Sequence, residues 1–433
     1  MKICMMTNTF LPHVGGVARS IQTFSENYLR KGHQVLIVAP TFTSEEKVPD
    51  EIEAYTVRLA AIEQFNGTDF SIRLPLTGLY NDRVWDFEPH IIHSHHPFLI
   101  GDTALRLGAA KHVPVVFTHH TLYEEYTHYV PFDSTALKQF TVDLSTHYAN
   151  LCDGVIAPSE SIAHLIKERG VLTPVKVIPT GIDLELFSSG DGKKFRKDQG
   201  IDSGKFVVGH VGRLAPEKNL QFLCQSLCHF LKDSPQALFL VVGGGPCEEI
   251  IRKIFEDQGL TGQLLMVGKK TGRDLYDAYR GMNMFAFSSF SETQGMVLAE
   301  AMAAGLPVVA LDASGVREVV RHDKNGFLLP SDATSEDFSK HLKMLATDPG
   351  LRKRFKEGAR RTAQKFSRER SAEAAVEFYE EIRMRTRQGR REEREDIWAA
   401  LGKRLEVEWA LISEKAKCAF NALAATDQKG DDE

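Results

Sequence analysis

Short apolar runs of strand length alternate with stretches of helical spacing through most of this chain. Residues 2–7 and 34–39 are two such runs, and between them Val17, Ile21, Phe24 and Tyr28 recur as one face of a helix. That is a strand–helix–strand unit. Further runs at Ile91-Ile92-His93, 114–118 and 154–157 are separated by helical patterns, so the first part predicts a parallel sheet wrapped by helices, ending near residue 180. A second alternation opens at Phe206-Val207-Val208 and continues through 237–242, 264–267, 284–287, 307–310 and 326–329. It predicts a second sheet of the same kind. From about residue 334 onward the pattern is helical and charged, with no strand-like run left. Residues 188–194, Ser-Ser-Gly-Asp-Gly-Lys-Lys, are small and polar and predict a surface linker or hinge loop.

The predicted fold class is therefore α/β, two Rossmann-like domains facing across a cleft, with a helical C-terminal extension. Its expected boundaries are 1–185, 205–366 and 367–433. In the last of these the first helix crosses back to the N-terminal domain, and a charged amphipathic extension and tail follow. Open α/β sheets bind ligands outside the carboxyl ends of their strands, so the cleft is the expected site. A length of 433 residues agrees with two cores rather than one.

Composition excludes several classes. Hydrophobic residues at 42% and charged residues at 26% are those of a globular chain. A net charge of −5 supplies no basic field to recruit nucleic acid. The opening Lys2-Ile3-Cys4-Met5-Met6 turns polar too soon for a signal peptide, and no run approaches about 18 apolar residues, so a cytoplasmic protein is expected. Six cysteines lie without CxxC spacing, which fits reduced thiols; Cys224 and Cys228 share a helical face and read as core.

Three segments carry candidate chemistry. Phe10-Leu11-Pro12-His13-Val14-Gly15-Gly16-Val17 follows a strand and opens a helix, where the amides of Gly15 and Gly16 could meet an anion or the glycines could serve the turn alone. Val211-Gly212-Arg213-Leu214-Ala215-Pro216-Glu217-Lys218-Asn219 places Arg213 and Lys218 at a strand's carboxyl end, as ligands for a leaving diphosphate or as solvated charges. The segment 291–305 sets Glu292 and Glu300 on either side of Gly295, with Gly295, Met296 and Val297 at a helix start. A carboxylate accepts two hydroxyl hydrogen bonds at once, as fixing a sugar ring requires, although a Glu at a helix start is also an ordinary capping residue.

Taken in order, the Gly-Gly turn, Ile178-Pro179-Thr180-Gly181-Ile182-Asp183, the Gly-Arg-Leu-x-x-x-Lys-Asn segment and the Glu-x7-Glu element resemble those of family 4 glycosyltransferases over roughly residues 2–380. The resemblance implies the GT-B fold, a nucleotide-sugar donor, retention of anomeric configuration, and no metal or other cofactor. It implies that Glu300 holds the donor ribose and Glu292 touches the transferred sugar. It also implies that Arg213, Lys218 and the backbone at Gly16 and Gly295 to Val297 hold the diphosphate. His120, in Thr118-His119-His120-Thr121, matches the family histidine that contacts the donor sugar; His119 reads as that or as a packed residue. No Asp-x-Asp pair occurs in the chain, so a metal has no obvious ligands of that kind.

Residues 122–131 interleave Tyr123, Tyr126 and Tyr129 with polar positions and resemble the acceptor-side segment of bacterial diacylglycerol glucosyltransferases, with Glu125 where that family has Asp. The resemblance implies glucose as the hexose, a membrane lipid acceptor and a place on the inner face of the cytoplasmic membrane. A partly buried helix is the plain alternative. Residues 397–423 carry Ile397, Leu401, Leu405, Ile412, Phe420 and Leu423 near helical spacing, to lie on a membrane or pack on protein. Rival readings are a mannosyl- or other hexosyltransferase for phosphoinositide lipid or polysaccharide, a nucleotide-sugar epimerase and a non-catalytic binder. The sequence does not set an oligomeric state.

Overall fold

A computed structural model describes residues 1–433 except 14, 43–46, 61–80, 125–134, 291 and 393–433. The chain divides into two compact units, Met1–Gly181 with the segment from Ser371, and Ile182–Arg370.

Unit 1 holds seven strands: β1 (Lys2–Met6), β2 (Gln34–Pro40), β3 (Thr56–Leu59), β4 (Ile91–Ser94), β5 (Val115–Thr118), β6 (Gly154–Ala157) and β7 (Val175–Val177). They pair in parallel in the order β3-β2-β1-β4-β5-β6-β7. Successive residues of β1 feed opposite faces: Cys4 and Met6 join one apolar cluster, Ile3 and Met5 the other. Burial on both faces is why these strands read as continuous apolar runs rather than alternating ones.

Unit 2 holds β8 (Phe206–Val211), β9 (Ala237–Val242), β10 (Leu264–Met266), β11 (Met284–Phe287), β12 (Val308–Leu311) and β13 (Gly326–Leu329), in the order β10-β9-β8-β11-β12-β13. Here too the faces alternate: Leu238, Leu240 and Val242 point to one cluster, Phe239 and Val241 to the other. Both sheets start in the middle, run outward to one edge, then reverse. Each has a switch point, between β1 and β4 and between β8 and β11, where helices leave the carboxyl ends of neighbouring strands on opposite faces and leave room for a ligand.

The helix Arg368–Glu392 starts at the end of unit 2 and enters the core of unit 1 through Ala372, Ala375, Phe378, Tyr379 and Ile382. Gly154 in β6 admits it closely. A Cβ there would lie 2.9 Å from Ile382 Cδ1 and 3.0 Å from Phe378 Cζ.

Residues 188–194, expected as a surface linker or hinge loop, are largely exposed but lie inside unit 2 and are held there. Gly190 and Gly192 pack against the carbonyls of Tyr276 and Arg280, where a Cβ would lie within 2.3 and 2.1 Å of oxygen, and the Asp191 amide donates to Asp277 at 2.6 Å. Small residues stand there because the helix Gly272–Gly281 runs close beneath, and the segment lies inside unit 2. The strand β3 went unread, since Arg58 interrupts its short apolar run. Among the described residues no helix is long and apolar enough to cross a membrane.

Candidate functional site

In unit 2 the chain leaves β8 at Gly212-Arg213, makes a one-turn helix at Pro216–Lys218 and turns through Asn219 at φ +52° into the helix Leu220–Lys232. The chain leaving β11 locks onto that turn. The hydroxyl of Ser288 donates to the carbonyls of Lys218 (3.0 Å) and Asn219 (3.1 Å), and Ser289 Oγ and the Phe290 amide donate to the Glu217 carbonyl, each at 3.1 Å. Because the two loops belong to adjacent strands at the switch point, this pinning brings Lys218 Nζ to 3.4 Å from Glu292 Oε2. Arg213 is exposed at the head of the same loop.

Glu292 also accepts from the Gly295 amide, at 3.0 Å through Oε1. Thus two groups expected to hold phosphate, the Lys218 ammonium and the Gly295 N–H, meet on one carboxylate. The anion they share in this structure is the Glu292 carboxylate itself. Gly295 caps the helix Met296–Ala303 with φ +76°, and the Met296 and Val297 amides belong to its first turn, where no intrahelical carbonyl serves them. Glu300, one helical turn further in, is 1% exposed, and the Tyr279 hydroxyl donates to its Oε2 at 2.8 Å.

Two glycine positions that shape this site were not singled out in the sequence. After β9, Gly243-Gly244-Gly245 lies against the β8 loop: the Leu214 amide donates to the Gly244 carbonyl at 3.0 Å, and a Cβ on Gly243 would sit 1.9 Å from the Gly212 oxygen. The glycine run behind an apolar strand was the visible signal. Gly315, at φ +74°, underlies the Glu292 loop, where a Cβ would stand 2.7 Å from the Gln294 nitrogen and 2.8 Å from the Thr293 carbonyl carbon. Nothing local to its own segment announces that contact.

In unit 1 the helix Gly16–Arg30 begins beyond β1 with Gly15 as its cap; apart from its chain neighbours and its own helix, no atom of the described residues lies within 4 Å of a Cβ position on Gly16, so an anion could approach the backbone. Beside it the carboxyl ends of β4 and β5 deliver five histidines. His93, His95, His96 and His119 are buried, and His120 is partly exposed. His120 Nε2 lies 2.9 Å from His95 Nδ1, and the rings stack at 5.2 Å. The His95 ring in turn lies 4.0 Å from that of His93. His93 is held at both nitrogens, by Thr118 Oγ1 at 2.6 Å and by the Tyr379 hydroxyl at 2.7 Å, and Tyr379 is bonded to Tyr28 at 2.9 Å. The sequence did not single out His93, His95 or Tyr379; the His93-x-His95-His96 spacing was their only local signal.

Burial favours the neutral imidazole. It pushes His93 and His96 down to about 3 and His119, with help from Arg169, to about 4. His95 and His120 fall well below the usual range, by burial first and then by neighbouring imidazoles. The cluster is uncharged near neutral pH. His119 packs against Phe117 and Tyr123. Tyr123 meets the Phe98 ring edge to face at 5.3 Å with its hydroxyl buried. Tyr126 and Tyr129 lie outside the described residues, as does the amphipathic stretch 397–423.

Residues 14–186 match the model of Glycosyltransferase Family 4, and residues 191–362 that of Glycosyl transferases group 1. The chain is 27% identical over 358 residues to an alpha-monoglucosyldiacylglycerol synthase of Streptococcus pneumoniae, covering 79% of this chain and 80% of that protein. It is 25% identical over 392 residues to the enzyme of the same name from Acholeplasma laidlawii, covering 88% and 96%. A GDP-mannose-dependent alpha-mannosyltransferase of Mycobacterium tuberculosis is 27% identical over 332 residues, covering 76% and 84%. Among solved structures, Anabaena HepE in complex with UDP and glucose superposes with a TM-score of 0.68 at 22% identity, covering 88% of this chain and all of that one, a likeness of fold.

Proposed function

From the premise that this chain belongs to the family 4 glycosyltransferases, hexosyltransferases of GT-B fold, we propose that it transfers glucose from UDP-glucose to diacylglycerol with retention of anomeric configuration. The observation that carries the reading is the anion cradle of unit 2, in which Lys218 and the Gly295 amide already converge on a carboxylate. Support for the lipid acceptor comes from the two monoglucosyldiacylglycerol synthases, which align over about four-fifths or more of this chain.

In this reading Lys218, Arg213 and the amides of Met296 and Val297 bind the diphosphate, and Gly295 joins them when a phosphate oxygen replaces the Glu292 carboxylate. Their fixed charges and dipoles stabilise the negative charge that grows as the glycosidic bond breaks, in place of a metal ion. Glu300 accepts from the ribose hydroxyls. Glu292 turns to the transferred sugar, which His120 also contacts, and the Gly15-Gly16 backbone approaches the diphosphate. The acceptor oxygen bonds to the anomeric carbon on the face from which the diphosphate departs. The electron pair of the broken bond stays on the phosphate, and the acceptor's proton passes to that phosphate oxygen. Tyr123, Tyr126 and Tyr129 are assigned to the acceptor side, and the chain works at the inner face of the cytoplasmic membrane.

The test offers radiolabelled UDP-glucose, and GDP-mannose in parallel, to diacylglycerol vesicles and to soluble sugars, followed by organic extraction. Lipid label from UDP-glucose with the α-anomer retained is the expected result. Lipid label from GDP-mannose would replace the donor, label confined to water-soluble sugars would discard the lipid acceptor, and a new nucleotide sugar formed without acceptor would identify an epimerase.

A further inference from the structure

The hydrogen bond between His95 and His120 has only two possible polarities. Both rings are neutral, so one nitrogen of the 2.9 Å pair carries a proton and the other a lone pair. If His120 donated through Nε2, the His95 proton would have to sit on Nε2. That atom is buried and has no partner among the described residues. A buried N–H without an acceptor costs the full loss of its hydration and is rarer in folded proteins than a bare acceptor. The other polarity leaves only an unused lone pair on His95 Nε2.

We propose that His95 is a positioning residue, which donates from Nδ1 to His120 Nε2 and thereby keeps the His120 proton on Nδ1 as a hydrogen-bond donor to a sugar oxygen. The inference rests on the sugar contact assigned to His120 above. His95 is well suited to the task because it is fully buried and held in place. Its amide donates to the Met6 carbonyl at 2.9 Å and its ring lies against His93, itself held by Thr118 and Tyr379. The C-terminal helix thus reaches the sugar-side histidine in three steps: Tyr379 fixes His93, His93 supports His95, and His95 selects the tautomer of His120.

Two-bond proton–nitrogen correlation of the full chain labelled with 15N-histidine, without donor, reads the tautomer directly, with His120 assigned by its loss in His120→Gln. The expected spectrum has His120 protonated on Nδ1 and bare on Nε2. His95→Leu should release that preference and lower kcat by about tenfold to a hundredfold. His95→Asn, nearly the same size but carrying a polar partner at the Nδ1 position, should recover most of the rate. A wild-type His120 protonated on Nε2, or equal losses in the Leu and Asn variants, would overturn the proposal. Should the tautomer be as stated while His120→Ala transfers sugar at the wild-type rate, the pairing stands and the sugar contact falls.

Discussion

Units 1 and 2 share a strand order and a switch point but furnish them with opposite electrostatics. The carboxyl ends of β8 and β11 carry Arg213, Lys218 and Glu292, formal charges held by loop-to-loop hydrogen bonds. The carboxyl ends of β4 and β5 carry His95, His96, His119 and His120, imidazoles that burial keeps neutral. Among the described residues of unit 2 one histidine is comparably buried, His210 in β8, pushed down to about 4 by burial while its Nδ1 faces the Ala286 carbonyl at 3.2 Å. The same scaffold can therefore carry fixed charge in one unit and uncharged imidazoles in the other, because the choice lies in a few residues after each strand and not in the sheet.

The contrast breaks most sharply at Lys218. Replacing it with Ala should lower kcat by about 10²–10³, the scale of one lost charge-stabilising group, with little change in melting temperature, since the hydrogen bonds from Ser288, Ser289 and Phe290 that hold the loop end on its carbonyls and survive the substitution. A loss confined to KM would mean that the cation serves binding alone.

Acid should separate the units next. His93 and His96 have folded-state values lowered from 6.5 to about 3, so between those limits the unfolded chain binds protons that the folded chain refuses. Their contribution is intact above pH 6.5 and is lost as pH falls toward 3, at about 1.4 kcal/mol per pH unit for each imidazole. Hydrogen-exchange protection measured at pH 7 and pH 5 should fall more in β1 and β4 than in β8 and β11. Equal losses would remove the distinction.

Gly315→Ala tests the backbone side of the charged site. Its φ of +74° and the close approach to Gln294 should cost about 2 kcal/mol, seen as a lower denaturation midpoint, with weaker donor binding because the Glu292 loop is displaced. A fully stable variant with unaltered binding would show that the loop does not depend on this support. The smallest effect on the charged site is expected at Tyr379→Phe, which leaves His93 Nδ1 and the Tyr28 hydroxyl short of a partner at about 1 kcal/mol each and touches no charged group. Calorimetry checks it, and a loss several times larger would mean that the Tyr28–Tyr379–His93 chain acts as a unit.

How much of this was legible beforehand follows from the range over which each feature acts. Burial on both faces of a parallel sheet writes itself into consecutive residues, so β1, β2, β8, β9, β11 and β12 could be read from their apolar runs. The loops bearing Arg213, Lys218 and Glu292 stood out because phosphate and sugar chemistry needs particular residue types at strand ends. The three-residue strand β7, and β3 with Arg58 inside it, gave too little pattern to read.

What the sequence determined by itself was the alternation of elements, the two-core division and the local vocabulary of the site. What only the tertiary structure decided was which of those words meet. Gly315 lies under the Glu292 loop, Gly243 against Gly212, and Tyr379 reaches His93 from 286 positions away. Such contacts carry no period along the chain, because they arise where the sheet order folds distant strand ends onto one another.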